Sequence, residues 1–232
     1  MIIACHQPNY LPHLGFFHKM KQADMFVILD SVQFSDGYYQ HRNRVRTQTG
    51  WKWLTVPVER SFVPISEVRI KNNAQISRRP WQEYHWEIIQ NTYNKTPHFA
   101  SFQKELESIY RTQSFERLVD LNMALISFLR QTSAITTPLV HASVLGIEAE
   151  DASERLAKIT AHVGGTVYLT GPSGGTKYDL HEEEFTKRGI RIINQEFHHP
   201  IYPQHHAKDE SMFEKNLASI DALFNIGTLP LQ

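Results

Sequence analysis

Two short apolar runs open the chain, residues 2–5 and 25–29, and between them apolar positions recur at helical spacing over residues 16–23. A run of four or five apolar residues without alternation predicts a strand buried on both faces. Strand, helix and strand in that order predict a parallel βαβ unit. The same rhythm returns late in the chain. Residues 139–145, 166–169 and 190–194 read as strands. A helix capped by Asp151 or Ser153 and running to His162 separates the first two, with Gly164 and Gly165 after it. A charged helix over residues 180–188, closed by Gly189, precedes the last.

The middle of the chain follows another pattern. Residues 51–58 alternate and predict a strand, with 68–70 as a short partner and Asn72-Asn73 turning the chain. Pro80 stands at a first helical position, and Trp81, Tyr84, His85, Ile88 and Ile89 keep helical spacing up to residue 93. Pro97 opens a second helix with Phe99, Phe102, Leu106, Ile109 and Tyr110 on one face. A third begins at Ser114, a good N-cap, and a C-terminal helix is expected over 212–224. The fold class predicted is α/β: a mainly parallel, Rossmann-like sheet with a mostly helical insertion in the middle of the chain. The organisation expected is a single domain over 1–232 with that insertion, or lid, at about 78–135.

Composition narrows the function classes. The 232 residues are 41% hydrophobic, enough for a sizeable core. Lys plus Arg and Asp plus Glu are 24 each, so global charge gives no case for nucleic acid as the main partner. A local basic patch at residues 42–46 keeps an aminoacyl-tRNA donor open. The single cysteine, Cys5, lies inside the first apolar run and is expected to be a buried, inert thiol. No signal peptide and no membrane span is predicted, which leads to a cytoplasmic expectation.

The candidate chemistry gathers at the predicted strand ends, where open parallel sheets bind ligands. His6, Gln7, Asn9, Asp30 and Gln33 fall there, and Tyr10, Gln40, Asn43 and Arg44 stand in the loops nearby. So many donors and acceptors in one half of a fold define a pocket better than a set of unrelated caps. His6 is the candidate general base, with Asp30 as the second candidate catalytic group; a structural histidine and a capping carboxylate are the plain alternatives. Arg42 and Arg44 alternate along a possible strand and are expected on opposite sides, with one of them in the site. The loop carrying Gly171, Ser173, Gly174 and Gly175, followed by Lys177 and Tyr178, has the context of a phosphate cradle or of a tight turn. It matches neither a Walker A motif nor GxGxxG. Thirteen histidines lack metal-ligand spacing, so no metal is predicted. Ser143, Ser173 and Cys5 lack a recognisable activating partner, and no GxSxG elbow is present.

The segments HQPNYLPHLGFFHKM (from His6), FVILD (to Asp30), VQF (with Gln33), Gln40 and Asn43-Arg44 resemble the WbqC-like family of bacterial surface-polysaccharide gene clusters. SERL at Ser153, YLTGPSGG at Tyr168, HPIYPQ at His199 and LASIDALFNIG at Leu217 extend the resemblance over nearly the whole chain. It departs at His13, where members carry Trp, and at His41, where they carry Asn; the carboxylate, amide and arginine set is untouched. The resemblance implies a transferase adding an acyl or aminoacyl group, such as glycine, to an amino sugar or nucleotide-linked amino sugar in O-antigen or related glycan biosynthesis. In that reading His6 or Asp30 takes the proton, and Gln7, Asn9, Tyr10, Gln33, Gln40 and Asn43 orient substrate. Arg44, the glycine-rich loop and Lys177 hold phosphates. No cofactor is fixed; ATP or an activated acyl donor is the candidate. The alternatives are an enzyme that activates an acid by adenylyl transfer from ATP, and a non-catalytic nucleotide- or glycan-binding subunit.

Overall fold

The computed structural model describes residues 1–59, 62–171 and 180–231. In chain order its elements are β1 (Ile2–His6), α1 (Leu14–Gln22), β2 (Met25–Ile28), β3 (Arg42–Thr47) and β4 (Gly50–Thr55). The short pair β5 (Gln75–Ile76) and β6 (Arg79–Pro80) leads into α2 (Trp81–Tyr93), α3 (Phe99–Arg111) and α4 (Leu118–Thr132). There follow β7 (Leu139–His141), α5 (Ala152–His162), β8 (Val167–Thr170), α6 (Glu182–Thr186), β9 (Arg191–Asn194) and α7 (Ile220–Ile226). They fall into two compact units, one of Met1–Gln7, Gly15–Val32 and Ile135–His198, the other of Pro8–Leu14, Gln33–Ala134 and His199–Gln232.

The first unit is a five-stranded, all-parallel sheet in the order β7-β2-β1-β8-β9. Strand order reverses at β1 and β8, which makes their carboxyl ends the switch point of a Rossmann-like α/β fold. Both faces are covered, as the non-alternating runs require. Ile3, Cys5, Val27 and Tyr168 pack on one side with Ala157, Ile159, Phe185 and Ile190. On the other, Phe26 meets Phe16 of α1 edge to face at 5.2 Å between centroids. Burial pushes the Cys5 thiol up to about 12, which makes it the inert group expected.

The second unit holds the β3–β4 hairpin and α2, α3, α4 and α7. Trp86, Tyr93, Phe99 and Phe224 are buried in it, with Tyr93 and Phe99 both against Phe224. Its polar interior is as ordered as its apolar one. The Asp221 carboxylate accepts hydrogen bonds from the Tyr93 hydroxyl (3.0 Å), the Tyr202 hydroxyl (2.8 Å) and the Gln204 amide (2.9 Å).

Several local expectations yield to longer-range pairing. The third helix starts at Leu118, not Ser114, because residues 116–118 run extended: Ile70 N donates to Glu116 O and Leu118 N to Val68 O. The C-terminal helix starts at Ile220, not at 212. Ala218 and Ser219 give their amides to Arg44 O and Pro12 O, and Asn216 takes a positive φ of 59°. β7 stops at His141 rather than 145, where the chain turns into a 3-10 helix over Ala142–Val144. The charged helix shortens to Glu182–Thr186, closed by Gly189 at φ +69°. Asp151, not Ser153, caps α5, accepting from Glu154 N at 2.9 Å. Among the described residues no helix is long and apolar enough to cross a membrane.

Candidate functional site at the carboxyl ends of the parallel strands

β1, β2 and β7 end side by side, and the register places His6, Ile28 and His141 in one row. Residues in one row of a parallel sheet project to the same face, and two strand spacings, ~10 Å, separate the outer pair. Two residues beyond Ile28, Asp30 is 2% exposed. Its Oδ2 accepts from His141 Nδ1 and from Ser143 Oγ, both at 2.8 Å, and its Oδ1 accepts from Ser143 N at 2.9 Å. The 3-10 turn after β7 is what returns Ser143 to the carboxylate.

Burial pushes the Asp30 carboxyl up, but the hydrogen bonds from His141 and from the Ser143 amide and hydroxyl outweigh it and hold the group below the usual carboxylate range. A carboxyl lowered in the folded state stabilises folding above its ordinary pKa, and that stabilisation is lost as pH falls through the lowered value. Asp30→Asn is therefore expected to cost ~1.5–3 kcal/mol at neutral pH, the range of a hydrogen bond to a charged group. Urea unfolding of both proteins should show the difference shrinking once pH drops below the ordinary carboxylate value. A difference that stays constant into strong acid would contradict the assignment.

His6 packs edge to face on Phe16 at 4.9 Å, and its Nδ1 donates to Gln7 O at 2.9 Å. That hydrogen bond makes Nδ1 the protonated nitrogen of the neutral ring and leaves the lone pair on Nε2. Towards the switch point, Lys19 Nζ is buried and donates to Cys5 O at 2.9 Å; burial lowers its pKa to about 8. Gln195, just past β9, donates through Nε2 to Gly15 O and His18 Nδ1, both at 2.8 Å. Of the predicted phosphate loop, Gly171 follows β8 with open space where a Cβ would project. Ser173, Gly174, Gly175, Lys177 and Tyr178 lie outside the described residues.

The other predicted site residues belong to the second unit. Asn43 is buried; its Nδ2 donates to Leu11 O at 2.5 Å and its Oδ1 accepts from Arg44 N at 2.8 Å. Gln40 Oε1 accepts from Ser35 N at 2.9 Å, while Asn122 Nδ2 ties Gln40 O to Pro8 O at 2.8 and 2.9 Å. Tyr10 is fully buried, its hydroxyl between Tyr110 and His85. Asn9 is buried, and Gln33 is exposed with its backbone bridged to Pro64. Asn43, Gln40 and Tyr10 thus tie the 8–14 and 33–43 segments within their own unit.

Arg42 and Arg44 share a face, which corrects the expectation of opposite sides: residues two apart on a strand project alike. Both guanidiniums lie over the hairpin tryptophans, Arg42 at 4.4 Å from the Trp53 ring and Arg44 at 5.0 Å from Trp51. Arg44 also donates to Asn216 O at 3.2 Å. Arg46 is buried and holds the carbonyls of His205, Gly50 and His206.

Sequence reading missed His141, and in Ser143 it weighed a nucleophile rather than a clamp. The strand predicted over 139–145 puts His141 and Ser143 in its interior rather than at its end, which hides the signal. Among the described residues no group of three or more His, Cys, Asp or Glu stands as a metal cluster.

An uncharacterized protein of Mycobacterium tuberculosis (strain ATCC 25618 / H37Rv), Rv1507c, is 29% identical over 225 residues, covering 97% of this chain and 94% of that protein. No solved structure matches the chain. The model of the WbqC-like protein family matches residues 7–231, and the chain belongs to that family.

Proposed function

We propose that this protein is a transferase that adds an acyl or aminoacyl group, such as glycine, to an amino sugar or nucleotide-linked amino sugar of a surface polysaccharide. The observation that carries this reading is the ionised Asp30, clamped with His141 and Ser143 at the carboxyl end of a parallel sheet. Amine acylation needs a proton acceptor and fixed polar groups that hold two substrates in reach of each other, and the histidines and clamped carboxylate of this site are groups of that kind. The glycan-related substrate is what the resemblance to a family of surface-polysaccharide gene clusters implies.

A thermal-shift screen against UDP-glucosamine, dTDP-linked 4-amino-4,6-dideoxyglucose, ATP, AMP, coenzyme A and glycine tests it. A ligand at ~100 times its dissociation constant stabilises by ~2.7 kcal/mol, or roughly 5–11 °C for a chain of this size. An amino-sugar nucleotide is expected to give that shift. A shift with ATP alone would replace this reading with acid activation by adenylyl transfer. Silence across the panel would remove its support.

A further inference from the structure

Among the described residues that end β1, β2 and β7 or follow them, His6, Asp30 and His141 can exchange protons. They differ in what stands behind them. Asp30 is itself a poor acceptor, because His141 and the amide and hydroxyl of Ser143 donate to it and hold its carboxyl below the usual range. His6 has its Nδ1 on the carbonyl of Gln7, which orients the ring. His141 has its Nδ1 on a buried carboxylate, at 2.8 Å. The carboxylate accepts only from an N–H, so the neutral ring keeps its lone pair on Nε2. When Nε2 takes a proton, the charge that forms on the ring faces Asp30 at contact distance. A carboxylate placed so both selects the tautomer and stabilises the imidazolium.

The surroundings agree with that division of labour. Asp30 is buried, whereas the His141 side chain is 36% exposed. Ser143 is not a nucleophile relayed through the histidine, since its hydroxyl donates to Asp30 rather than to the ring. It and its own amide fix the carboxylate, which fixes the imidazole.

We infer that His141 is the proton acceptor of this site, with Asp30 and Ser143 as positioning residues; the inference rests on the acyl-transfer reading and deepens it. The amine nitrogen of the acceptor sugar attacks the carbonyl carbon of an activated acyl donor, a thioester, ester or mixed anhydride. The N–C bond forms and the amine proton passes to His141 Nε2. The bond from the acyl carbon to the leaving atom breaks, its electron pair leaving with that atom, which takes the proton back from His141 or from solvent. Nothing is oxidised or reduced.

The test measures transfer from glycyl-coenzyme A to UDP-glucosamine across the neutral pH range, in wild type, His141→Ala, His141→Gln and Asp30→Asn, with the fold of each checked by circular dichroism. His141→Ala and His141→Gln are expected to lower kcat about 100- to 10,000-fold, the range of general acid–base catalysis, with KM changing far less. Free imidazole should restore part of the rate to His141→Ala, and the acid limb of the pH profile should vanish. Asp30→Asn should lower kcat while leaving the His141 ring in mixed tautomers; nitrogen-15 NMR of wild type should show Nδ1 protonated and Nε2 bare. Wild-type transfer that both His141 variants leave within a few-fold would overturn the assignment alone, as would a wild-type ring protonated at Nε2. A wild type that transfers nothing would overturn the functional reading and this assignment with it.

Discussion

Replacing Asp221 by alanine is expected to destabilise the protein by ~2–5 kcal/mol, because buried donors aimed at its carboxylate lose their acceptor. The carboxylate is fully buried, and the two buried tyrosine hydroxyls aimed at it would lose their acceptor, while Gln204 Nε2 keeps Glu214 O at 3.1 Å. Each donor left unsatisfied costs ~1–3 kcal/mol, partly relieved by repacking. Tyr93 is doubly engaged, since its hydroxyl also accepts from Arg46 N at 3.1 Å. Urea unfolding at neutral pH measures the loss; a change under ~1 kcal/mol would mean that the network is dispensable.

The pH dependence of Asp221 has the opposite sign to that of Asp30. Burial raises the Asp221 carboxyl above its usual range, although the donors from Tyr202, Gln204 and Tyr93 and the Arg46 charge pull it down. A carboxyl raised in the folded state binds its proton more tightly there than in the unfolded chain. Its contribution therefore weakens folding as pH rises from the ordinary carboxylate value through the raised one, and is constant above. Asp221→Asn should gain stability relative to wild type across that interval. Asp30→Asn loses relative to wild type as pH climbs through the lower one.

Gly165→Ala is expected to cost ~3 kcal/mol, the upper end for overpacking a core, and to lower the melting midpoint by roughly 6–12 °C. A Cβ on Gly165 would meet the Ile3 side chain, and would lie 2.8 Å from Thr160 Cγ2 and 2.9 Å from Thr160 O. A rotamer change could move the side-chain carbons, but not the carbonyl: Thr160 O accepts from Gly165 N at 2.8 Å and belongs to the last turn of α5. Since β1 and β8 pair beside this corner, the strain falls on the strands whose ends form the switch point. Gly164, at φ +78°, is the residue of the pair that needs glycine for its backbone; Gly165 needs it for space. A wild-type midpoint for Gly165→Ala would show that the corner can open.

The parallel sheet was legible along the chain because its strands are buried on both faces, and burial of that kind writes unbroken apolar runs that need no partner to be recognised. Helices α2 and α3 were legible for a similar reason: one apolar face at helical spacing is a local property. The strand-end positions of His6 and Asp30 followed from the same runs. Three things lay beyond local pattern. The starts of α4 and α7 were set by backbone pairing with distant segments, which overrode the capping preference of Ser114 and the apolar pattern after 212. The polar residues after residue 8 read as one pocket, yet Asn43, Gln40 and Tyr10 turn their polar atoms on their own unit, because buried donors and acceptors must be satisfied wherever the chain folds back. His141, more than a hundred residues from Asp30, meets it only because β7 adds to the free edge of β2 in parallel. Burial and periodicity are carried by neighbours in sequence, so the chain alone determined its layers; partnership between side chains depends on strand order and register, and those only the tertiary structure decided.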